Sequence, residues 1–89
     1  MPVRWTTPAS QDLENIAHRI RRDNPVAARK IAKAIYDGGM SLAIFPNRGC
    51  IGRISGTREL VIAPFIVVYR ITNNTVEILR IYQAAQDWP

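Results

Sequence analysis

Arginine is the residue type in this chain best suited to chemistry. Arg58, Arg70 and Arg80 each interrupt a run of apolar, mostly β-branched or aromatic residues. A guanidinium presents a planar fork of donors that can grip a phosphate or carboxylate at two points or stack on an aromatic ring. Strand alternation places Arg80 on one face with Tyr82, and the hairpin register described below adds Tyr69 to it. Arg80 could therefore present its fork to a partner, or pair with Glu59 or Asp87 and close the sheet edge. Arg48 and Arg53 alternate with Gly49, Gly52 and Gly56 between Pro46 and Gly56. Glycines free such a loop to bend around an anion, although the stretch matches no phosphate-binding fingerprint. A solvated connection and a phosphate-gripping loop fit it equally well.

Other reactive types are sparse. His18 is the single histidine and sits beside Arg19, Arg21 and Arg22. It reads as a solvated helix residue. Zinc needs clustered ligands, and one His far from one Cys cannot provide them. Cys50 has no histidine neighbour to activate it. Glu77 is claimed by Arg70 across a strand pair, so no acid/base pair emerges. No metal and no cofactor are expected.

The elements that position these residues follow from apolar spacing. The runs within Gly56–Ala63, Phe65–Thr72 and Thr75–Tyr82 read as three antiparallel strands. Asn73-Asn74 suits a two-residue hairpin loop, because Asn tolerates positive φ. That loop sets Thr72 opposite Thr75, Ile71 opposite Val76, Arg70 opposite Glu77 and Tyr69 opposite Ile78. It continues with Val68 opposite Leu79, Val67 opposite Arg80, Ile66 opposite Ile81 and Phe65 opposite Tyr82. Opposite charges and like apolar groups then face each other.

Upstream, Pro2–Trp5 alternates as an edge strand. Thr7-Pro8 reads as N-cap and first helical residue of a helix to about Arg22, with Leu13, Ile16, Ala17 and Ile20 on one stripe. Asn24-Pro25 opens a second helix reaching about Phe45, with Ala28, Ile31, Ala32, Ile35, Gly39 and Leu42 at helical spacing. Gly38-Gly39 within it marks either a kink or a close packing contact. The order β-α-α-β-β-β predicts an α+β fold: a helical hairpin on one face of a mostly antiparallel sheet. Trp88 is expected to anchor the tail.

At 89 residues the chain has room for one domain, residues 1–89. No apolar run approaches the ~18 residues of a membrane helix, and the N-terminus lacks a signal pattern. With a lone cysteine, a soluble cytoplasmic protein is expected. A net charge of +5 and a pI near 10.2 suit an acidic partner, whether nucleic acid, ribosome or acidic protein segment.

Several segments together resemble the RelE/ParE superfamily, the toxins of type II toxin–antitoxin modules, also called plasmid-stabilisation proteins. They are the Asn-Pro opening of helix two, Phe-Pro-Asn-Arg-Gly, Gly-Thr-Arg-Glu-Leu-Val, Ile-Val-Val-Tyr-Arg-Ile, Val-Glu-Ile-Leu-Arg-Ile and the terminal Gln-Asp-Trp-Pro. The likeness spans Trp5 to Pro89, and the family fold agrees with the one above. It implies a cognate antitoxin partner, forming a hetero-oligomer, with Leu13, Ile16, Ile20, Ile31 and Ile35 as antitoxin contacts. It also implies growth arrest by one of two activities. RelE-type members cleave messenger RNA on the ribosome without metal, cations holding the phosphate while the 2′-hydroxyl attacks. Here that role would fall to Arg58, Arg80 and Tyr82, with Arg48 and Arg53 on the RNA backbone. ParE-type members inhibit DNA gyrase, for which Arg80, Tyr82 and Trp88 are the expected target contacts.

The sequence departs from the nuclease pattern where it matters. Thr57 and Glu59 stand where RelE-type toxins carry lysines, Ile66 where they have arginine, and Gln83, Ala84 and Ala85 where basic residues follow the last strand. A ParE-like gyrase inhibitor is the expectation. A nuclease, or a non-toxic relative that only binds antitoxin, are the alternatives.

Overall fold

The computed structural model describes residues 1–85. Trp88 and Asp87 lie outside the described residues. The chain forms β1 (Val3–Trp5), α1 (Thr7–Arg21), α2 (Pro25–Ser41), β2 (Cys50–Ile51), β3 (Arg58–Ile62), β4 (Phe65–Thr72) and β5 (Thr75–Gln83). The five strands make one sheet in the order β1-β5-β4-β3-β2, with β1 parallel to β5 and every other pair antiparallel. This is the expected α+β architecture, a helical hairpin on a mostly antiparallel sheet.

The β4–β5 hairpin turns at Asn73 and Asn74, whose φ values of 50° and 58° are the left-handed pair a two-residue loop demands. From Thr72↔Thr75 to Tyr69↔Ile78 the register is the expected one. There it changes. A bulge at Leu79 pairs Val68 with Arg80, Val67 with Ile81, Ile66 with Tyr82 and Phe65 with Gln83. Uninterrupted alternation after Val76 and Ile78 would carry Arg80 into the core; the extra residue delivers Ile81 there instead.

One face of the sheet meets the helices. Leu60, Phe65, Val67, Tyr69, Val76, Ile78 and Ile81 pack against Ala9, Ile16, Ile35 and Leu42 in one core. Gly38 and Gly39 lie where α2 packs directly on sheet side chains. A β-carbon on Gly39 would stand 2.7 Å from the Trp5 ring and 2.9 Å from Ile78 Cδ1. The glycine pair therefore marks packing, against sheet side chains. The opposite face carries a smaller cluster of Ile66, Val68 and Tyr82.

Three boundaries differ from the expected ones. Thr6, not Thr7, caps α1: its hydroxyl accepts from the Ala9 N–H and also donates to the Ile78 carbonyl at 2.8 Å, a tertiary bond that selects it. Asn24 caps α2 as expected, accepting from Ala27. That helix stops at Ser41, whose hydroxyl turns back to the Gly38 carbonyl, and tighter turns carry the chain to Phe45. The segment expected to be pure loop contains the short β2, paired to β3 through Cys50↔Glu59.

Candidate functional site

The second face of the sheet collects most of the residues with chemical potential. β4 and β5 bring Arg80, Tyr82 and Glu77 to it; β3 adds Glu59, whose partner across the ladder is Val68, itself opposite Arg80. Arg80 and Tyr82 do meet, with the guanidinium carbon 5.3 Å from the ring centroid. Tyr69 does not join them. It is fully buried on the helix side, where its hydroxyl donates to the Pro46 carbonyl at 2.7 Å and accepts from Gly49 N–H at 3.0 Å.

The Arg80 fork is occupied by Asp12 and not by Glu59; Asp87, the other expected partner, lies outside the described residues. Nε and Nη2 donate to the two oxygens of Asp12, at 2.7 and 3.1 Å, and one of those oxygens also accepts the Ile81 N–H at 3.0 Å. β1 covers β5 only as far as Ile78, so the later part of that strand would otherwise show an open edge. α1 runs alongside it, and Asp12 satisfies the edge N–H and the arginine together. The hydrogen bond to Asp12 raises the Arg80 pKa further above the ordinary arginine value, against a smaller lowering by burial. Asp12 stands off the apolar stripe of its helix, and its partners lie 68 and 69 positions away, beyond any local signal.

The remaining sheet cations are also engaged. Arg58 donates to the Gly49 carbonyl at 2.8 Å. Arg53 offers its backbone N–H to Glu59 at 2.9 Å, with its guanidinium 3.7 Å from the same carboxylate. Arg70 and Arg4 flank the buried Glu77, Arg70 at 2.8 Å as its register predicts. Arg48 bonds the Ser41 hydroxyl at 2.8 Å. Arg48 and Arg53 thus fasten the glycine loop to helix and sheet. Cys50 is exposed, its sulfur 3.5 Å from the Glu59 carbonyl.

The apolar stripe assigned to antitoxin is divided. Ile16 and Ile35 are core residues, because the stripe is the side of the hairpin that faces the sheet. Ile20 and Ile31 instead line a cleft of about 350 Å³ with Phe65 and Pro64. Leu13 lines a broader depression of about 740 Å³ with Trp5 and Tyr36, whose rings stack 5.9 Å apart. A neighbouring hollow of about 320 Å³, floored by Ala28 and Ala32, shares Ala17 and Arg21 with it. Together they form an open groove along the outer seam of the two helices.

Residues 3–88 match the family described as "ParE toxin of type II toxin-antitoxin system, parDE". The chain belongs to the ParE toxin family. It is 43% identical over 89 residues to the candidate toxin Y4kP of Sinorhizobium fredii, covering 98% of this chain and 92% of that one. Its fold matches a chain of the chromosomal ParDE system from P. aeruginosa with a TM-score of 0.84 and 26% identity, over 93% of this chain and 95% of that chain. It also matches a chain of the toxin–antitoxin complex RelBE2 from Mycobacterium tuberculosis, with a TM-score of 0.68 and 28% identity, over 92% and 95%. Similarity to ParE- and RelE-type neighbours alike leaves the choice of target to the chemistry of this chain. No helix among the described residues is long and apolar enough to cross a membrane.

Proposed function

We propose that this ParE-family toxin inhibits DNA gyrase and is neutralised by a cognate antitoxin. The observation that supports gyrase over messenger RNA is the state of the sheet cations. A metal-free ribonuclease needs free cations aimed at the charge that develops on the scissile phosphate. Here the Arg80 fork is taken at two points by Asp12, and Arg58 is drawn to a backbone carbonyl. Arg53 is committed to Glu59 on β3, and Arg4 and Arg70 to Glu77 on β5, both buried carboxylates. A phosphate there would compete with carboxylates already in place.

The antitoxin partner is supported by the structural neighbours, which come from toxin–antitoxin systems. An amphipathic segment that folds on binding would seat its apolar side in the outer groove, over Leu13 and the Trp5–Tyr36 pair. An extended part would lie along the sheet. Induction of the toxin alone should arrest growth and leave a reporter plasmid relaxed, and co-expressed antitoxin should restore both. Growth arrest with normal plasmid supercoiling and cut messenger would refute the gyrase assignment.

A further inference from the structure

The net positive charge of this molecule is concentrated at one end. Of the twelve Lys and Arg residues, Arg4 and Arg70 sit on Glu77, Arg53 on Glu59, Arg80 on Asp12 and Lys33 on Asp37. Arg19, Arg21, Arg22, Arg29 and Lys30 are all exposed, and none contacts a carboxylate among the described residues. They fall at the closed end of the helical hairpin, where α1 gives way to α2, and Asp23 is the single acid between Arg19 and Lys30. With Asp23 counted, this end carries +4 of the chain's +5; Arg48 and Arg58, the other two cations without a carboxylate contact among the described residues, are held by the Ser41 hydroxyl and the Gly49 carbonyl.

Position and composition indicate what such a cap recognises. Arg19 lines the cleft on the sheet side of α1 with Phe65 and Gln83, whereas Arg21 and Arg29 line the outer hollow. Arg19 thus addresses one side of this end and Arg21 and Arg29 the other, so a peptide lying in one groove would meet only some of the cations. Protein interfaces are built around apolar or aromatic anchors, with charge depleted at their centre. Across this cap Val26 is the one large apolar residue that is exposed. A regular array of phosphates, one charge per about 1.7 Å of duplex axis, needs no anchor and can meet cations on several sides.

We propose that the closed end of the helical hairpin is a sequence-independent docking site for the phosphate backbone of double-stranded DNA, carried by Arg19, Arg21, Arg22, Arg29 and Lys30. The choice of DNA over RNA rests on the gyrase reading, because gyrase acts on a DNA-bound complex. The site would hold the toxin beside the DNA its target is processing.

The test is fluorescence anisotropy with a labelled DNA duplex of arbitrary sequence, titrated with the intact toxin across a range of salt. Three to five phosphate contacts predict a log–log salt slope of about −3 to −4.5, and a roughly 100-fold loss of affinity between about 50 and about 200 mM salt. R29Q/K30Q should shrink the slope by about 2, and R19Q/R21Q/R22Q should weaken it further. K33Q, which removes a cation already paired with Asp37, should leave it unchanged. If the triple variant fails to fold, the Arg→Lys version of the same three keeps the test alive: it should retain most of the affinity, because a phosphate reads point charge. No binding at low salt would overturn the proposal. So would a slope the substitutions do not move, tighter binding of an RNA duplex, or tighter binding of a polyglutamate peptide. Gyrase inhibition without duplex binding would refute the DNA site alone; duplex binding by a toxin that leaves gyrase active would refute only the gyrase assignment.

Discussion

Asp12 carries three hydrogen bonds on one half-buried carboxylate: two from Arg80 and one from the Ile81 backbone. The consequences of removing each partner differ. D12A strands a strand-edge N–H and a guanidinium, and should cost about 2 kcal/mol of stability by urea unfolding. R80Q removes only a side chain that is 46% exposed, so screening limits its cost to about 1 kcal/mol or less. A larger effect for R80Q than for D12A would show that the ion pair matters more than the strand edge. Because the folded-state pKa of Arg80 is raised, its contribution is complete below the unfolded value and is lost only as pH climbs through the folded one. The penalty of R80Q should therefore be equal at about pH 6 and about pH 9. Toxicity should survive R58Q, provided the variant remains folded, because Arg58 is drawn to a backbone carbonyl. Loss of toxicity together with loss of messenger cleavage would return Arg58 to catalytic standing.

At the scale of elements, the glycine pair of α2 gives a test of opposite sign to helix propensity. Ala for Gly inside a helix should stabilise by about 1 kcal/mol. G39A instead forces a methyl against the Trp5 ring and Ile78 Cδ1, and should lower stability by roughly 1–3 kcal/mol by thermal or urea unfolding. A stabilised G39A would mean that α2 does not sit so close to the sheet. Y69F removes the hydroxyl that fixes the Pro46 carbonyl and the Gly49 N–H, and should cost about 1–3 kcal/mol while speeding amide exchange at Gly49. Unchanged exchange would free that loop from Tyr69. These examples show what was legible in the sequence. The Asn73-Asn74 turn, the Arg70–Glu77 pair and the Asn24 cap are local or directly cross-strand, so spacing exposes them. The bulge at Leu79, the Thr6 cap and the Asp12–Arg80 bond answer to distant partners. One clue was present: unbroken alternation from Ile78 would have buried Arg80, which only a register shift relieves. The short β2 lacked even that, since two residues carry no period.

Over the whole molecule, charge and apolar surface are separated. Arg4, Arg70 and Arg80 on the sheet meet carboxylates and Arg58 a backbone carbonyl, the outer seam of the helices offers an open groove, and the closed end of the hairpin holds five cations with no carboxylate contact among the described residues. A nuclease would invert this distribution, keeping free cations on the sheet. Membership of the ParE family supplies the class, toxin of a type II system; the neutralised sheet supports the target. The most direct measurement is DNA supercoiling by purified gyrase with added toxin, beside a translation reaction supplied from the same preparation. Gyrase inhibition predicts lost supercoiling with translation intact and messenger uncut. Full gyrase activity together with arrested translation and cleaved messenger would contradict it.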